Sequence, residues 1–324
     1  MSILYTNAIL SVRSGRILTM DRIRRMIAAP DSAQAAKILF ECGYDELLIT
    51  EKPDREDLII NAEMKKTVES LRELCPSPLL LNILQARFDY HNAAAIYNFV
   101  LANVADGLVK IPADSLYPFG NVGLDKLKDA IVKKDYSVCP EPMREALLRL
   151  GSDSPFASLV DLELTKAMYA DIMPKVKTLG NRGVINFFKT EIDFANMHSY
   201  AKARFHGKVG NIFIEGGFAT EDQLGSILSK DPHAAKSAFA SLPYMRVVYR
   251  LVASLDSLDL SVFEYESKKY LAELGRQGEE DSFALNPLLG WWVTKWEEMR
   301  IVKTILVGKK LGMTREDLYK QLGI

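Results

Sequence analysis

The feature that most constrains this chain is a recurrence. An acid set in helix-forming sequence appears at Asp89 in LLNILQARFDYHNAAAIYNFVLANVA, at Asp193 in VINFFKTEIDFANMHSYAKARFHGKVG and at Glu297 in LGWWVTKWEEMRIVKTILVGKKLG. The interval is 104 residues both times (193 − 89 and 297 − 193), and an apolar residue precedes each acid: Phe88, Ile192 and Trp296. A repeat of this kind favours helical units that pack on one another, because a single unit cannot bury its apolar face alone.

The closing stretch, Leu289 to Gly312, places Trp292, Trp296, Met299, Val302 and Leu306 on one face at helical spacing. At 1.5 Å per residue it would reach roughly 36 Å, the width of a small domain. Element order recurs as well. A long helix leads to a turn, the acid-bearing helix, a glycine-containing break and a short capped helix, LDKL, EDQL or REDL, ending on Leu127, Leu224 and Leu318. Thr220 with Gln223 forms a capping box, and Thr314 caps the last helix. Ser32 is placed as the cap of AQAAKILFECG, and Gly43 ends that helix. Pro174 is expected to kink or interrupt its long helix. Only VKIPA, VGNIFIEG and DELLIT suggest strands, so the fold is expected to be all-α.

One echo falls at the other end of the chain. AQAAKILFECGY resembles HAAKSAFASLPY, ending on Tyr44 and Tyr244, and the segment before it resembles the second half of a unit. The last unit stops where this material would be due. The expected organisation is therefore residues 49–150, residues 151–255, and residues 256–324 completed by residues 1–48, in a pseudo-threefold arrangement.

Composition narrows the function. Forty-one basic and 42 acidic residues leave a net charge of −1, which argues against general nucleic-acid binding. Cys42, Cys75 and Cys139 are odd in number and unpaired in spacing, and read as reduced, mostly buried thiols of a cytosolic protein. No signal peptide is expected, since Arg13 interrupts the first apolar run, and no apolar run approaches membrane-spanning length. His91, His198, His206 and His233 show no metal-ligand spacing, and His91 and His198 read as polar helix-face residues. The three repeated acids occupy equivalent places in separate units, whereas acid–base pairs must converge. They read as structural groups in surface, interhelix or helix-end contacts. PFGNVG and IEGGFATED lack a phosphate-loop signature. No catalytic, cofactor-binding or metal residue is assigned.

The opening YTNAILSVRSGRIL, the threefold helical units and above all KWEEMRIVKTILVGKKLGMTREDLYKQL resemble the C-type stalk-subunit family of bacterial and archaeal V/A-type ATPases, itself similar to the d-type subunit of eukaryotic V-ATPases. The likeness covers essentially the whole chain. The middle unit keeps Asn196 and Arg204. The first has Asn92 without a following arginine, and a long loop at 112–124. The resemblance implies an all-α, funnel-like, non-catalytic rotor subunit, present in single copy. It would join the D- and F-type shaft subunits to the proteolipid ring at the cytoplasmic face of the membrane, without a membrane span of its own, and transmit torque. The basic stretches Arg13 to Arg25 and Lys295 to Lys310 are candidate patches for acidic partners. The competing readings are a cytosolic helical-repeat scaffold holding another helical partner and, less well supported, an enzyme with a site built from scattered polar residues.

Overall fold

The computed structural model describes residues 2–102, 115–152, 156–206, 211–229, 231–256, 259–277 and 284–324. Sixteen α-helices and no strand occur among them. The chain divides into two compact units. The first holds residues 1–76, 189–211 and 218–324; the second holds residues 77–188 and 212–217.

In the first unit the N-terminal helices are α1 (Ile3–Ser14), α2 (Met20–Ala28), α3 (Ser32–Lys37), α4 (Glu46–Glu51) and α5 (Glu56–Leu74). Side-chain caps begin several of them: Thr19 accepts from the Arg22 amide, and Asp31, not Ser32, accepts from Gln34. Asp31 wins because its carboxylate is the better acceptor for the exposed N–H groups, and Ser32 becomes the first helical residue. Gly43 takes a left-handed conformation, φ 76°, and ends a 3-10 turn at Ile38–Cys42.

The second unit packs α6 (Pro78–Ala102), α7 (Leu124–Lys133), α8 (Glu141–Ser152) and α9 (Ala157–Leu179) around one core. Tyr90, Ala93 and Ile96 of α6 meet Leu127 of α7, Met143 and Leu147 of α8, and Val160 and Leu164 of α9. The α9 helix runs through Pro174 without ending there.

The division falls inside α10 (Arg182–His206), between residues 188 and 189. The first unit resumes with α11 (Glu221–Gly225), α12 (Pro232–Ala238), α13 (Met245–Ser254), α14 (Ser261–Arg276), α15 (Asn286–Lys310) and α16 (Arg315–Leu322). The capping boxes at Thr220 and Thr314 are both formed.

The closing helix, α15, is the spine of this unit. It packs against α1, α2, α3, α5, α14 and α16. Trp292, Met299, Val302 and Leu306 are buried as spaced, but so are Leu288, Leu289, Val293, Ile301 and Ile305. One stripe, Glu297, Arg300, Lys303, Thr304 and Lys310, stays polar and partly or fully exposed, and the N-terminal helices cover much of what would otherwise face water on the wider apolar side. The expected neighbourhood of residues 1–48 and the closing helix is thus present as contact. Thr6 donates to the Leu74 carbonyl at 2.6 Å, and Asn7 to the Ala284 carbonyl at 3.1 Å.

Crossing at glycines sets how near α14 and α15 come. A Cβ on Gly275 would lie 2.2 Å from the Gly290 Cα, inside any tolerable contact. DELLIT, a strand candidate, is α4, because Asp45 caps it and commits the segment to a helical turn. In VGNIFIEG, Ile212 to Ile214 are irregular coil. VKIPA, residues 209–210 of VGNIFIEG, and two segments whose composition reads as turns, residues 153–155 of SDSP and all of GEEDS, lie outside the described residues.

Gly275→Ala should lower unfolding stability by about 1–3 kcal/mol, since the helix pair must part or strain. Gly225→Ala, with nothing within 4 Å of the added Cβ, should change it by less than about 0.5 kcal/mol. Urea titration of both variants checks the contrast.

Candidate functional site: buried carboxylates that hold the backbone

Three of the buried acids, Asp89, Asp193 and Glu298, hold loop backbone. Asp89, 1% exposed on α6, accepts from the amides of Asn121 at 2.9 Å and Val122 at 3.0 Å, just before α7. It has company at i−4 and i+3. Gln85 donates to the Phe119 carbonyl, and Asn92 both donates to the Tyr117 carbonyl and accepts from its amide, all at 2.8 Å. One polar face of α6 therefore fixes residues 117–122. Gly120 belongs to the fit, since a Cβ there would stand 1.9 Å from Asp89 Oδ1.

Asp193, fully buried on α10, repeats the device. It accepts from the amides of Phe218 and Ala219 at 2.9–3.0 Å, just before α11, and from the Tyr244 hydroxyl at 2.7 Å. Phe194, beside it, packs edge-on to Tyr244 at 5.1 Å.

The third acid is Glu298, not Glu297. Glu298 is 3% exposed and accepts from the Leu18 amide at 2.8 Å, just before α2. Glu297 is half-buried and pairs with Arg300 at 2.6 Å. The second interval is thus 105 residues (298 − 193), one more than the first. In this register Lys309 matches Arg204. Lys309 donates to the Ile27 and Ala29 carbonyls at 2.9 and 2.5 Å, while Arg204 donates to those of Ile227, at 3.0 Å, and Ser229. Ile27, Ala29 and Tyr44 each lie 200 positions before Ile227, Ser229 and Tyr244. The partner of the last acid is therefore the N-terminal α2, and the expected third copy of the short capped helix, REDL in α16, is a different element. The chain has carried half of that repeat to its other end.

Charge is handled differently at each acid. Burial pushes Asp89 up to about 6, against the pull of the Asn121 and Val122 amides. Burial likewise raises Asp193, opposed by the Tyr244 hydroxyl and the two amides. Glu298 has a cation instead. Lys295 Nζ lies 2.5 Å from it and 2.6 Å from Glu63, with Tyr44's ring 5.2 Å away. Burial works to lower Lys295, yet the two carboxylates outweigh it and keep the ammonium charged. Tyr44 is raised by burial first and by Glu298 second, and its hydroxyl has no hydrogen-bond partner among the described residues.

These acids serve structure rather than surface. Of the surface, interhelix and helix-end contacts expected for them, Asp89 and Asp193 make the helix-end kind, because loop amides buried before α7 and α11 need an acceptor. Sequence reasoning missed Glu298, Lys295, Glu63 and Gln85. A signal for Glu298 exists in the sequence: an interval of 105 pairs Arg204 with Lys309, whereas 104 pairs it with Gly308. His91 is exposed on α6 near the Ser115 carbonyl at 3.3 Å, and His198 meets Glu264 at 2.9 Å. Both are the polar helix-face residues expected. Cys42 and Cys139 are buried and pushed up to about 11, mainly by that burial, while Cys75 is half-buried.

Two comparisons bear on the chain. The profile of a family described as ATP synthase (C/AC39) subunit matches residues 6–321. The C-type subunit of the V-type sodium ATPase of Enterococcus hirae is 18% identical over 324 residues, which cover 98% of this chain and 96% of that protein.

Glu298→Ala should destabilise the chain by about 1–3 kcal/mol, because it leaves the buried Leu18 amide without its acceptor, while Lys295 keeps Glu63. Glu297→Ala should cost less than about 1 kcal/mol, as for a surface pair. Equal losses in urea unfolding would contradict the assignment of the repeated acid. At Asp89 the folded carboxyl holds its proton between its ordinary 3.8 and about 6, where the unfolded one has lost it. Its contribution to stability therefore falls as pH rises through that window and is level above it. Unfolding midpoints measured across pH should show this slope, and Asp89→Asn should remove it.

Proposed function

This chain belongs to the ATP synthase (C/AC39) subunit family, and we propose that in a V/A-type ATPase it is the socket joining the central shaft to the membrane rotor ring. It is a non-catalytic stalk subunit. In the proposed assembly it receives the D- and F-type shaft subunits and rests on the ring of proteolipid subunits, in single copy, at the cytoplasmic face of the membrane. Torque from ATP turnover passes through it to ion translocation. Attachment runs through the ring; among the described residues no helix is long and apolar enough to cross a membrane.

The observation that carries this reading is the family match over nearly the whole chain. The geometry supports it in kind. A torque adapter must resist twisting at the joints between helices, and here Asp89, Asp193 and Glu298 hold those joints by charge-assisted bonds to loop amides. The three helical units, residues 49–150, 151–255, and 256–324 with 1–48, in a pseudo-threefold, funnel-like arrangement, form part of the same proposal.

Purified chain mixed with D- and F-type shaft subunits and detergent-solubilised ring should co-elute with both as one complex. Failure to bind either would sink the socket reading.

A further inference from the structure

The basic stretch at Arg13 to Arg25 is not uniform. Arg22 and Arg25 are both committed to Glu41, at 3.3 and 2.6 Å. Arg13 and Arg16, one helical turn apart where α1 ends, have no acid partner among the described residues. They open instead on a cleft of about 170 Å³ in the first unit, lined also by Gly43, Lys66, Thr67 and Ser70.

Four features of this cleft agree. Four cationic side chains line it: Lys295 on α15 is committed to Glu63 and Glu298, and the other three, Arg13, Arg16 and Lys66, come from the end of α1 and from α5. The acid that lines it, Glu63, is already held by Lys295 at 2.6 Å, so it neutralises little of that charge. Lys66 is fixed at the rim, donating to the Gly43 carbonyl at 2.6 Å, which leaves two N–H donors for something else. Thr67 is only 2% exposed, and its hydroxyl has no hydrogen-bond partner among the described residues. A buried hydroxyl left unpaired is unusual in a folded protein and marks a place where a polar atom is due.

We propose that this cleft is a binding site for a phosphate group, gripped by the Arg13 and Arg16 guanidiniums and Lys66 and met by the Thr67 and Ser70 hydroxyls. The chemistry matches. Guanidiniums fork onto oxyanions, an ammonium adds a point charge, and hydroxyls complete the set for a tetrahedral group. Size limits the choice, since pockets for larger organic ligands run to about 300–1,000 Å³. A nucleotide would not fit, whereas free orthophosphate or one phospholipid headgroup phosphate would. The site is separate from the socket reading and stands or falls without it.

Calorimetric titration of the full chain with sodium phosphate should give saturable one-to-one binding. Arg13→Gln with Arg16→Gln should weaken it by about tenfold or more, the loss of at least one charge-assisted pair. Thr67→Val should weaken it while thermal unfolding shows the fold intact, and Arg24→Gln, on a different groove, should leave it unchanged. A second arm uses phosphatidylcholine vesicles with and without phosphatidic acid. Co-sedimentation that needs phosphatidic acid, is lost in the double variant and is competed by phosphate assigns the site to a lipid headgroup. Phosphate binding without vesicle binding assigns it to the free ion. No binding of either kind, or binding that the double variant retains in full, overturns the proposal.

Discussion

A buried carboxylate that holds backbone amides is the interaction on which the rest of this structure depends. Burying an ion costs several kcal/mol, and here that cost is set against loop N–H groups that would otherwise be shut away without acceptors. Asp89, Asp193 and Glu298 each sit on a long helix and each receive the amides that precede a shorter one. The long helix and the next element are thereby locked at a defined joint. Apolar packing alone would hold the helices together but would leave their relative rotation weakly specified.

The three joints share a plan and differ in detail. Asp193 uses a tyrosine and Arg204, whereas Glu298 uses Lys295 and Lys309. Asp89 has no cation and relies on Gln85, Asn92 and the missing Cβ of Gly120. Where the Asn92 and Asn196 position recurs in the last copy it is Ile301, buried against the N-terminal helices. The last copy thus replaces a polar loop clamp with apolar packing, as suits a helix enclosed by α1, α2, α3 and α5. Because its second half is supplied by the chain's beginning, the N-terminal segment is tied in by Glu298, Lys309 and Thr6.

Much of this could be read from the residues. Helical period, caps at Thr220 and Thr314, the glycine end at Gly43 and the Tyr44–Tyr244 echo all rest on local chemistry, which the structure keeps. What could not be read was burial. Glu297 and Glu298 are adjacent acids on one helix, and only the arrival of Leu18 and Glu63 from far along the chain decides between them. The face read for the closing helix is kept, but the buried surface is wider than that face, because the residues that cover the added side lie some 250 positions away. Gly275 and Gly290 gave no local sign of contact, since a close helix crossing is a property of the pair.

Native-state hydrogen exchange tests the central claim most directly. The Leu18, Asn121, Val122, Phe218 and Ala219 amides lie in loops before helices, where N–H groups ordinarily exchange quickly. If the buried acids hold them, they should exchange only through large-scale unfolding, as slowly as amides inside α6 and α15. Exchange at the rate of exposed loop amides would contradict the account.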